Sequence, residues 1–136
     1  MNREIKFRAY DPAREQMYMD CLIGNKGKLV ALEYEYECGD INTSYATDTN
    51  GDYPESFEVM QFTGLKDKNG IEIYEGDILE IDDLENTKGI VVFDDGGFKL
   101  REDNVYFSHL SVWRTHVMVS IIGNIYENAD ILTNEA

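Results

Sequence analysis

The sequence predicts a mainly β protein in two parts, and three observations carry that expectation. Apolar and polar residues alternate with a period of two in several segments, the pattern of a half-buried strand. Short apolar runs are separated by Asp-Pro, Asn-Gly and Asp-Gly turn signals. The hydrophobic share of 43%, with 9 Tyr and 6 Phe, supplies enough apolar surface for a core at 136 residues.

The first strand follows from Ile5, Phe7 and Ala9 alternating with Lys6, Arg8 and Tyr10. Asp11-Pro12 turns the chain, because proline fixes its own φ and disfavours helix in the residue before it. Met17-Tyr18-Met19 returns as the second strand of a hairpin, with room for one helical turn at residues 13–16. Between Leu29 and Cys38 the residues Leu32, Tyr34, Tyr36 and Cys38 share one face, and Glu33, Glu35 and Glu37 the other. That charged face also discourages edge-to-edge pairing. From Gly39 to Glu55 the periodicity is lost among Asp, Asn, Thr, Ser and Gly, so this stretch reads as a loop or linker. The expected division is an amino-terminal β subdomain at 1–54 and a carboxy-terminal one at 55–136.

The second part has a clearer rhythm. Val59–Gly64 is a strand, Lys66–Gly70 a reverse turn, and Ile71, Ile73, Ile78, Leu79 and Ile81 lead back into sheet. Ile90-Val91-Val92-Phe93 is closed by Asp94-Asp95-Gly96-Gly97, and Phe98–Arg101 returns. Val117–Tyr126 is the last apolar strand, and Asn128 is placed to cap a short helix through Leu132. Several short strands between turns point to a sandwich or small barrel.

Charge and composition narrow the function classes. There are 27 acidic against 12 basic residues, a net charge of −15. Such a field keeps a protein soluble and repels phosphate backbones. Glu72, Glu75, Asp77, Glu80, Asp82, Asp83 and Glu85 crowd one region, so direct nucleic-acid binding is disfavoured. Arg3, Lys6, Arg8 and Arg14 are the one place where cations gather. Cys21 and Cys38 make no disulfide framework. No secretory segment or membrane span is visible, so the expected compartment is the cytoplasm, without membrane association.

Candidate chemistry is sparse. Asp48, Asn50 and Asp52, with Glu55 and Glu58 behind them, place oxygen ligands at alternate positions, as calcium loops do. The pattern is defective, because Gly51 precedes Asp52 and Val59 stands where a bidentate Glu belongs; an ordinary polar loop is the simpler reading. His109 and His116 flank Trp113 and Arg114 without further zinc ligands at a typical spacing. Ser108 and Ser111 have no nucleophile-elbow context, and neither cysteine has a cationic setting. No catalytic residue and no cofactor is assigned.

Tyr74–Ile81 followed by Lys88–Phe93 is similar to the opening strands of SH3-type barrels, with Gly76-Asp77 as a tight turn and Gly89 allowing curvature or a bulge. Three longer phrases go further: Glu4–Asp11 with Met17-Tyr18, Phe62–Gly70 leading into Glu72–Ile78, and Ile121–Asn128. Together, and in that order, they resemble the YopX family of small phage and prophage proteins. The resemblance implies a β-rich fold, an SH3-like barrel in the carboxy-terminal part and a phage or prophage origin; it supplies no activity. The expected function is a non-catalytic accessory module that binds a host or phage protein through an acidic surface, with no metal or cofactor assigned and with nucleic-acid mimicry as its sharper form. The alternatives are a metal-dependent nuclease or hydrolase, and a self-assembling protein, which leaves homo-oligomers open.

Overall fold

The computed structural model describes residues 4–23, 29–35, 41–45, 57–82, 87–102, 105–110 and 114–133. It is mainly β and antiparallel throughout, as the alternation predicts. The chain divides into two compact units, Met1–Gln61 and Phe62–Ala136.

In the first unit, β1 (Phe7–Asp11) and β2 (Gln16–Ile23) form the expected hairpin, with Asp11 opposite Gln16. The connection is a turn, not a helical one: Glu15 takes a left-handed φ of 51°. Asp11 Oδ1 accepts the Ala13 N–H at 3.0 Å, the side-chain turn that aspartate favours. β3 (Leu29–Glu35) adds to β2, and β4 (Ile41–Tyr45) adds to β3. On the other side β1 pairs with the start of β5 (Glu58–Lys66).

β4 corrects the reading of residues 39–55 as continuous loop. Glu35 faces Ile41 and Ala31 faces Tyr45 across the ladder. Ile41, Thr43 and Tyr45 are strand formers at alternate positions, but with only Ile41 and Tyr45 apolar the run is too short and too polar to set a clear period. One buried cluster described in this unit is Ala9, Cys21 and Phe57, with Phe7, Tyr18 and Val59 packed on it; Tyr10 and Met60 are buried as well. The Tyr18 and Phe57 rings stack at 5.8 Å.

In the second unit the latter part of β5 pairs with β6 (Glu72–Tyr74). β7 (Asp77–Ile81), β8 (Lys88–Asp94), β9 (Gly97–Glu102) and β10 (Val105–His109) then follow as a meander. β11 (Val119–Asn124) returns to pair with β7, giving the order β10-β9-β8-β7-β11. The β8–β9 hairpin turns through Asp95 at φ 48° and Gly96 at φ 81°, the two positive values of a type I′ turn. At the Asn69-Gly70 turn only Gly70 has positive φ.

Two further expectations are corrected. The run 117–126 is not all strand: α1 (Thr115–Met118) occupies its beginning. The Val119 N–H bonds back to Thr115 O, so one helical turn closes before the chain extends. Asn128 does not cap α2 (Asp130–Thr133) with its side chain. Its Oδ1 accepts the Asn124 N–H at 3.2 Å instead. Gly89 serves close approach, since a Cβ there would lie 2.7 Å from Leu100 Cγ and 2.9 Å from Arg101 O.

Residues of these strands, with Leu110 just beyond β10, fill one core: Ile73, Leu79, Ile81, Val91, Leu100, Leu110 and Val119. Each such burial contributes about 1.5–3 kcal/mol relative to exposure for a large aliphatic side chain.

Candidate functional site

In the second unit the later two phrases of the sequence meet. The Asp67–Gly70 turn carries Asp67, which is 2% exposed. Its Oδ1 accepts the N–H groups of Asn69 and Ile71, both at 2.9 Å, closing the turn locally. Its Oδ2 accepts the Ile121 N–H of β11 at 3.0 Å, across 54 residues of sequence. Beside it the Lys68 N–H donates to Val119 O at 2.9 Å. The turn is thus fastened to β11 by side chain and main chain together.

The neighbouring joints follow the same rule. Asp77 Oδ2 accepts the Tyr74 N–H at 2.8 Å, holding the Gly76 turn. The Gly76 N–H donates to Val91 O, and Gly76 O accepts the Ile125 N–H, both at 2.9 Å. Asn124 Oδ1 accepts the Tyr126 and Glu127 N–H groups, and Asn124 Nδ2 donates to Glu127 Oε1 at 2.8 Å. A Cβ on Gly123 would come within 2.8 Å of Asn128, so only glycine lets this last turn fold back. Thr63 Oγ1 donates to Ile73 O at 2.7 Å and accepts the Leu65 N–H.

Electrostatics fix what this clasp does. Burial alone would raise the Asp67 carboxyl, but the amides of Ile121, Ile71 and Asn69 outweigh it and hold the pKa below the ordinary value. A carboxylate kept ionised by three N–H donors is a poor proton donor and a poor base near neutrality. Its chemistry is to bind backbone. Asp67 was legible in the sequence only as a turn residue; no local signal discloses a bond across 54 positions.

The other sequence candidates within the described residues do not converge. Asp48, Asn50, Asp52, Glu55 and Cys38 lie outside the described residues, as do Asp83, Glu85, Ser111 and Trp113. His116 is exposed on α1, while the backbone of Ser108 and His109 lies in β10. Asp82 pairs with Lys68 at 2.7 Å, and Asp94 and Asp95 form the β8–β9 turn. Cys21 is buried, with Sγ 3.3 Å from Tyr18 O. Among the described residues no group of three or more His, Cys, Asp or Glu could hold a metal ion. Among them, too, no helix is long and apolar enough to cross a membrane.

Among the described residues, the cations of the amino-terminal hairpin do not form one basic face. Arg8 is 8% exposed, Lys6 pairs with Glu4 at 2.9 Å, and Arg14 pairs with Asp11 at 2.8 Å.

Comparison with known proteins agrees with the motif reading. Two solved structures are similar over nearly their full length. Protein EF1440 from Enterococcus faecalis is 28% identical with a TM-score of 0.66, covering 96% of this chain and 99% of that one. Protein yopX from Bacillus subtilis is 19% identical with a TM-score of 0.58, at the same two coverages. No curated protein matches. The family model for YopX protein matches residues 6–133, which takes in all three phrases but for the first two residues of the earliest; the chain belongs to the YopX family.

Proposed function

We propose that this chain is a non-catalytic binding module that presents an acidic surface to a protein partner. The observation that carries the reading is how its polar groups are distributed. Asp67, Asp77, Asn124 and Asn128 bind backbone amides inside the second unit. Lys6, Arg14, Lys68, Lys88 and Lys99 each face a carboxylate within 4.0 Å. Pairing of this kind masks cations in a chain with 27 acidic residues and leaves Glu15, Glu58, Asp95, Glu102, Glu127 and Asp130 exposed. A net negative charge of −15 steers association with a basic partner.

The sharper form of this reading is mimicry of nucleic acid, with the chain occupying the basic groove of a host or phage protein. A phage or prophage origin and a site of action in the bacterial cytoplasm belong to the same proposal. The meander β7–β10 followed by α1 and a last strand returning to β7 supports an SH3-like small barrel as the scaffold.

The test is affinity capture of the tagged full chain from bacterial lysate at low and high salt, read by mass spectrometry. One stoichiometric partner lost at high salt is expected, because interactions between exposed charges are screened beyond about 8–10 Å at physiological ionic strength. A partner that survives high salt removes mimicry and leaves an apolar interface. Recovery of the bait alone under both conditions overturns the module itself.

A further inference from the structure

β11 ends the five-stranded sheet, so among the described residues one of its sides has no strand beside it. In an antiparallel strand the N–H and C=O of one residue point the same way, and successive residues alternate. The hydrogen bonds place Val119 and Ile121 on the outer side. The Val119 N–H goes to Thr115 O at the end of α1. Val119 O accepts the Lys68 N–H, and the Ile121 N–H goes to Asp67 Oδ2. Three outward groups in succession are therefore satisfied by a helix end, a turn amide and a carboxylate.

Such a site would otherwise be a hazard. Val119-Ser120-Ile121-Ile122 is rich in β-branched residues and carries no charge, the composition that pairs readily when an edge is open. Asp67 is suited to close it, being acceptor-only when ionised and thus occupying the donor an incoming carbonyl would need. It is buried and held from its own turn by two further amides, so it cannot swing aside as an exposed side chain would.

We propose that the Asp67 turn is an edge guard, which occupies the outer side of β11 and keeps the chain from pairing there with a second copy of itself. The partner excluded is this same strand, related by a two-fold axis, because β11 laid antiparallel to β11 makes a self-complementary interface. This inference does not rest on the proposed protein partner.

The experiment compares the full wild-type chain with Asp67→Ala and with Asp67→Ala combined with Ser120→Lys. Ser120 lies opposite Glu80, so a lysine there has a cross-strand partner within the monomer. In a β11–β11 dimer, two such lysines would oppose each other. Sedimentation velocity over a wide concentration range should show concentration-dependent dimer in Asp67→Ala beyond the wild type, and its loss in the double variant. Hydrogen exchange should show the Ile121 amide protected in the wild type and about 10- to 100-fold faster in dilute Asp67→Ala. A folded Asp67→Ala no more associated than the wild type overturns the proposal, as does a dimer indifferent to Ser120→Lys. Rapid exchange of Ile121 in the wild type does the same. Should Asp67→Ala not fold, Asp67→Asn takes its place in each arm; failure of both to fold also overturns it, since the carboxylate would then be needed for the fold itself.

Discussion

The turn carboxylates of the two units make bonds of different reach, although β1 of the first also pairs with distant β5. In the first, the polar contacts of Asp11 stay inside one hairpin, two and three residues away. In the second, Asp67 ties a turn to a strand 54 residues later, beside a seven-residue buried cluster. The cluster described in the first unit has three members, two of them the small Ala9 and Cys21. A local hairpin can form before the rest of the chain has arranged itself. The clasp of the second unit forms only when distant segments are already docked, so loop-closure entropy must first be offset by its core.

That contrast is most directly broken by truncating core side chains. Leu79 is fully buried, and Leu79→Ala should cost about 2–5 kcal/mol through lost burial and a cavity. Cys21→Ala in the first unit removes one sulfur with a weak contact to Tyr18 O and should cost about 1 kcal/mol. Guanidinium unfolding midpoints of the two variants read the difference. Equal losses would mean that the smaller cluster bears as much of the stability as the larger.

Gly89→Ala sharpens the comparison by testing how closely the second unit is packed. The new Cβ would meet Leu100 Cγ at 2.7 Å and the Arg101 carbonyl oxygen at 2.9 Å. The leucine can shift a little, but the carbonyl belongs to the β8–β9 ladder, where Ile90 opposes Arg101. Overpacking of this kind costs about 1–3 kcal/mol. Thermal unfolding should register the loss. A neutral result would show that β9 yields.

Acid should act on the clasp through Asp67. Its folded pKa lies below the ordinary 3.8, so its contribution is fully present above that value and is lost as pH falls through the folded pKa. Asp67→Asn should therefore lower stability near neutrality by about 1–2 kcal/mol, through weakened bonds to buried amides. It should also flatten the decline below pH 3.8. Denaturant midpoints measured down that acid range decide it: parallel curves for wild type and variant would mean that the carboxylate charge holds nothing.

Much of the frame was legible in residues whose neighbours in sequence are also their determinants. The alternation at Phe7–Asp11 and Leu29–Glu35 and the Asp95-Gly96 turn needed only local chemistry. β4 was not legible, because polar Thr43 leaves only Ile41 and Tyr45 on its apolar side and its partner strand is what makes it a strand. α1 overlaps only the start of the run 117–126, where Val117 and Met118 look the same in helix or strand. The family was legible from three phrases, while their role was not. Asp67 and Asp77 read as turn residues, and each holds its turn; that the first also reaches β11 depends on which turn the fold brings beside which edge.

The smallest predicted effect compares one strained residue from each unit. Glu15 has φ 51° and Arg114 φ 53°, and both are exposed. The left-handed region costs a side-chain-bearing residue about 1–2 kcal/mol, and glycine removes that strain while gaining freedom in the unfolded chain. Glu15→Gly and Arg114→Gly should each raise stability by less than about 1 kcal/mol, measurable as a small rise in melting temperature. Arg114 precedes α1 and makes no side-chain bond to cap it, so nothing described there opposes the exchange. A gain at 15 with a loss at 114 would separate the units again, by showing that the arginine side chain stabilises the second one through a contact that the strain has concealed.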